Sequence, residues 1–180
     1  RGVDATGAGV AIDLRFILYF GLTYVLVRAW PAYKKPMLLV SLIGASVVVF
    51  FAVLQIFVLP IDILSHIGYS KETIAPFLTV DKNPDYIRIN STLRGPNPLG
   101  AYAGIVIALS ASYFVVAKRI HSRKMRVYLW VVAVAAVLAL WASYSRSAVI
   151  AAVISVAVIG IATVARRLSR RTWIVLSVVI

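Results

Sequence analysis

The sequence predicts an all-α fold, a polytopic bundle of transmembrane helices with about six spans, the last truncated. Three observations predict it. Of the 180 residues, 62% are hydrophobic and 14% charged, with a mean hydropathy of +0.93; water-soluble domains carry about a quarter charged residues. Four runs, 37–59, 99–117, 127–145 and 147–165, are free of charge and 19 to 23 residues long, and about 20 helical residues cross a bilayer core. Twelve of the 19 cations fall in three clusters without a carboxylate, the mark of short cytoplasmic turns.

Taken in order, the segment 10–30 is a further span, interrupted by Asp13 and Arg15, which would pair or snorkel at its end. Arg28, Lys34 and Lys35 form the first basic turn, followed by span 37–59 and the long outward loop 60–97. Span 99–117 leads to the second basic cluster, Lys118, Arg119, Arg123, Lys124 and Arg126. A continuous helix over 127–165 would run about 58 Å, nearly twice the hydrocarbon thickness, so the chain must reverse near Arg146. Arg166, Arg167, Arg170 and Arg171 then precede a sixth span beginning at Thr172. This alternation puts a charge of +12 inside and +1 outside, with the N-terminus outside. Because the sequence starts at Arg1 and stops within an apolar run, 1–180 is expected to be one membrane domain of a longer protein. Trp30, Trp130, Trp141 and Trp173 lie near span ends, as interfacial aromatics do, and all seven prolines lie at or beyond them. Gly100 with Gly104, and Ala148, Ala151, Ala152 and Ser155, give two spans small faces for close packing.

Several function classes fall away. Cysteine is absent, and two His and six carboxylates are scattered without ligand spacing, so no metal site and no cofactor are expected. The net charge of +13 does not mark a nucleic-acid partner, because it sits in short turns where orientation explains it. Those turns would instead touch anionic membrane lipids.

The outward face carries the chemistry. Residues 87–94 alternate, so an extended chain would place Arg88, Asn90, Thr92 and Arg94 on one face and Ile87, Ile89 and Leu93 on the other. Extended, Arg88 and Arg94 would stand roughly 20 Å apart, too far to clamp one diphosphate unless the strand bends. Asn97 is a good N-cap and Pro98 a good first helical residue, so the next span is expected to start there, its amide-rich end beside Arg94 forming an anion site. The plainer alternative is that Gly95-Pro96-Asn97-Pro98 only turns the chain and the arginines meet lipid phosphates nonspecifically. Arg146, at the outer interface in Ser143-Tyr144-Ser145-Arg146-Ser147, is a functional candidate by its position, or a snorkelling arginine in a tight turn. His66 and the acids Asp62, Glu72, Asp81 and Asp85 lie on the same side, but nothing in their spacing pairs them as acid and base.

The stretch Arg88-Ile89-Asn90-Ser91-Thr92-Leu93-Arg94-Gly95-Pro96-Asn97-Pro98, followed by Tyr144-Ser145-Arg146-Ser147-Ala148, resembles the two signature motifs of the O-antigen ligase and O-antigen polymerase superfamily of bacterial membrane glycosyltransferases. The motifs cover a small part of the chain. The resemblance implies a multi-pass enzyme of the cytoplasmic (inner) membrane, acting in cell-envelope polysaccharide or lipopolysaccharide synthesis. It would take a glycan from undecaprenyl diphosphate, on the outer face, and join it to a lipid, sugar or protein acceptor without a metal. By position, Arg88 and Arg146 become the implied diphosphate contacts, with Arg94 and Asn97 beside them. The family's base is a histidine in a later outward loop, which His66 does not match, so this segment alone is expected to be inactive. A transporter or flippase for a polyprenyl-linked glycan is the alternative, although it would be expected to carry polar residues near mid-span, where Gln55 is almost the only one. A non-catalytic membrane protein is the other.

Overall fold

The computed structural model describes residues 3–116 and 122–167; the expected sixth span from Thr172 lies outside them. Its order is α1 (Val3–Ala29), a 3-10 turn (Pro31–Tyr33), α2 (Lys34–Phe57), a 3-10 turn (Ile63–Ile67), β1 (Leu78–Val80), β2 (Asn83–Arg88), α3 (Pro96–Val116), α4 (Arg123–Ala142) and α5 (Arg146–Arg167). Four described helices, rather than six, are long and apolar enough to cross a membrane: α2, α3, α4 and α5. Of the expected span 10–30, an apolar helical stretch is described over Ile17–Ala29.

Contacts group the chain into two units, 1–44 and 45–180. In the first, Arg28 donates from Nη1 to the Tyr24 hydroxyl one turn earlier (3.2 Å), and Pro31 opens the 3-10 turn that ends the helix.

In the second, α3 packs against both α4 and α5. Small side chains permit this approach: Ala103 of α3, Ala139 of α4 and Ala148 and Ala152 of α5 share one buried cluster with Val48 and Ala52 of α2. A second cluster joins Val49, Val106, Val132, Ala135 and Ala136. Large apolar residues such as Ile150, Ile154 and Ile161 instead stay exposed on the outer face of α5, where a water-soluble bundle would present polar groups. Ser110, Ser155 and Thr163 donate to the carbonyl four residues earlier, satisfying each hydroxyl within its own helix as an apolar surround requires.

The loop between α2 and α3 is structured, so the fold is not purely helical. Strands β1 and β2 pair antiparallel with an irregularity between Thr79 and Val80. Asp81 and Lys82 between them both have positive φ, as a two-residue type I′ turn demands.

Residues 87–94 do not form the alternating strand expected. β2 ends at Arg88, and Ile89, Asn90 and Ser91 are all buried in succession. A turn closes from Leu93 N to Asn90 O (3.1 Å), with Ser91 at φ +52°. Tertiary bonds override the local pattern: the Ser91 hydroxyl donates to Val48 O (2.6 Å) and its amide to Gln55 Oε1 (2.7 Å). Gln55→Leu would leave that buried amide unpaired. It is expected to cost about 1–3 kcal/mol, read as a lower thermal midpoint in detergent, whereas Gln55→Glu keeps the acceptor and most of the stability.

Candidate functional site

The loop docks on the end of α4. Ile89 N donates to Ala142 O (3.3 Å) and Arg88 Nε to Ser143 O (2.9 Å). A helix's last carbonyls have no donors of their own, and its negative end suits a guanidinium. The second arm of Arg88, Nη2, donates to Asn97 Oδ1 (2.6 Å). Both partners are neutral, so the positive charge of Arg88 stays uncompensated and most of its donor fork is unused.

Arg146 is the first residue of α5. Arg88 and Arg146 line one open cavity of about 840 Å³, with Thr79, Asp81, Trp141 and Tyr144 among its other walls. The start of α5 adds backbone donors. Val149 N makes the first intrahelical bond, to Ser145 O (3.1 Å), so the amides of Arg146, Ser147 and Ala148 precede the ladder, at the helix's positive end.

The start of α3 is different from the one expected. It begins at Pro96, and Leu99 N already bonds to Gly95 O (3.2 Å). Pro96 takes the first helical position, so Asn97 is inside the helix and is not its N-cap. Pro96 and Pro98 have no N–H, which leaves the Asn97 amide alone ahead of the first bond. The predicted amide-rich end beside Arg94 is therefore amide-poor, and the donor-rich helix start is that of α5.

Arg94 is exposed and lines none of the three cavities described. His66 lines none of them either; it is exposed in the second 3-10 turn, its Nδ1 3.4 Å from Ser65 Oγ. Asp81 lines the larger cavity, and Asp85 lines a neighbouring one of about 250 Å³ together with Gln55, Phe77 and Arg88. A third, of about 580 Å³, runs from Asn97 and Ser145 along the small-residue faces of α3 and α5. Among the described residues, no three His, Cys, Asp or Glu side chains stand together as a metal site would need.

Sequence reasoning missed the aromatic group. Tyr86 meets Tyr144 edge to face, with centroids 6.3 Å apart, and Trp141 lies 6.2 Å from Tyr144. Trp141 and Tyr144 are one helical turn apart beside Arg146, a spacing that was visible; the approach of Tyr86, 58 residues before Tyr144, was not.

No family model matches the chain. No curated protein and no solved structure matches it either.

Proposed function

We propose that the chain is part of a membrane glycosyltransferase that moves a glycan from undecaprenyl diphosphate to a lipid, sugar or protein acceptor on the outer face of a bacterial cytoplasmic membrane, without a metal. One observation carries the reading: Arg88 and Arg146, neither paired with a carboxylate among the described residues, line a single cavity at the donor-rich start of α5. Such a cavity suits an anion with several oxygens, as a diphosphate has. The motif resemblance supplies the glycan and the carrier. Helix α4 opens on Arg123 and Lys124 and α5 ends on Arg166 and Arg167, at the ends away from the cavity, which favours an outward-facing cavity.

In the proposed reaction an acceptor hydroxyl oxygen bonds to the sugar's anomeric carbon. The bond from that carbon to the diphosphate oxygen breaks, its electron pair stays on the diphosphate, and the hydroxyl proton passes to a base. Negative charge grows on the departing diphosphate, where fixed guanidinium groups stabilise it.

A transporter would be expected to carry polar residues near mid-span. Gln55 lies two residues from the end of α2 rather than mid-span, and its oxygen is engaged in seating Ser91.

The test uses full-length protein in nanodiscs, an undecaprenyl-diphosphate-linked glycan and lipid acceptor, with and without chelator. Covalent transfer that survives chelation is the expected result. Movement of intact donor between leaflets, with no bond to acceptor, would mean a transporter. Labelling from outside that reaches position 123 but not 88 or 146 would invert the orientation and end the proposal.

A further inference from the structure

We infer that Trp141 and Tyr144, with Tyr86 packed edge to face against Tyr144, form a platform for a sugar ring, seated in the smaller cavity while the larger one takes the phosphates. The inference rests on the carrier-diphosphate reading and deepens it. Three residues, Arg88, Trp141 and Tyr144, line both cavities, so the two cavities adjoin across them. A sugar joined to a diphosphate has the same layout, a ring and an anion either side of one oxygen.

The two cavities differ in chemistry. The larger has two guanidiniums to one carboxylate, Asp81. The smaller has Arg88 alone, with the carboxylate of Asp85 and the amide of Gln55. A carboxylate repels phosphate but accepts hydrogen bonds from hydroxyls, and the Gln55 amide nitrogen donates to them while its oxygen holds Ser91. At about 250 Å³ the smaller cavity suits one ring rather than an oligosaccharide. A pyranose has an apolar face of C–H groups and a rim of hydroxyls, which an exposed aromatic beside polar groups matches. Trp141 is 61% exposed and Tyr86 51%.

An interfacial belt accounts for a Trp at a helix end. It does not account for Tyr144, which holds φ +49°, a conformation that glycine adopts at lower cost. The strained position holds a ring beside Arg88, where glycine would offer none.

The test measures the affinity of full-length protein in nanodiscs for two probes, undecaprenyl diphosphate and undecaprenyl-diphosphate-linked N-acetylglucosamine. The wild type is expected to bind the sugar-bearing lipid about tenfold more tightly, the scale of one aromatic platform. In Trp141→Leu and Tyr144→Gly that ratio is expected to fall to about one, while Trp141→Phe keeps most of it. Tyr144→Gly also relieves the backbone strain, so a thermal midpoint that does not fall separates loss of recognition from loss of fold. A wild-type ratio near one, or both variants keeping the wild-type ratio, overturns the platform and leaves the diphosphate reading standing. A wild-type protein that binds neither lipid overturns the carrier reading and the platform with it.

Discussion

Arg146→Ala is expected to lower glycan transfer by about 10²- to 10³-fold, the usual effect of removing one group that stabilises developing negative charge, with little change in thermal stability. The guanidinium is exposed and no hydrogen bond holds it among the described residues, so its removal breaks no structural contact. Arg146→Lys keeps a charge but not the planar fork that meets two phosphate oxygens at once, and should recover only part of the rate. Arg88→Ala should slow transfer comparably but also destabilise, because it removes charged hydrogen bonds to Ser143 O and Asn97 Oδ1. Parallel rate and melting measurements on the two variants separate the roles. Wild-type turnover in both would end the assignment of these arginines.

Gly100→Ala has the second large effect. A Cβ there would stand 2.7 Å from Ser143 Oγ, 2.8 Å from Ser145 Cβ and 3.0 Å from Ala148 Cβ. None of these can swing aside: Ser143 is fully buried with its hydroxyl bonded to Leu140 O (2.7 Å), and the others sit at the start of α5. Overpacking of this kind costs about 1–3 kcal/mol, read as a lower thermal midpoint. Transfer should fall as well, because the displaced turn carries the carbonyl that holds Arg88. Gly104→Ala is the control: its Cβ would lie 3.6 Å from Ala152 Cβ, an ordinary contact, and should leave both midpoint and rate close to wild type.

The sequence presented Gly100 and Gly104 as equivalent members of one small-residue face. The structure separates them because only Gly100 faces the turn at 143–145. The four spans were legible, since uninterrupted apolar runs leave the backbone no other way to satisfy its hydrogen bonds in lipid. Arg88 and Arg146 were singled out as candidates, but the role of Asn97 was misread: Pro96, already suited to the first helical position, moves the start one residue earlier and turns Asn97 from a cap into the acceptor for Arg88. The turn at Ser91 was hidden because its causes, Val48 and Gln55, lie about 40 residues upstream.

The partners that fix Arg88 lie far downstream: the carbonyl of Ser143 comes 55 residues later in the chain. During synthesis, a ribosome that has delivered everything through α3 has produced both the hairpin and Arg88, but neither the end of α4 nor the start of α5. Arg88 can take its place only after α4 is complete and the chain has turned into α5. Until translation has passed the start of α5, Arg88 therefore has no fixed place in the fold.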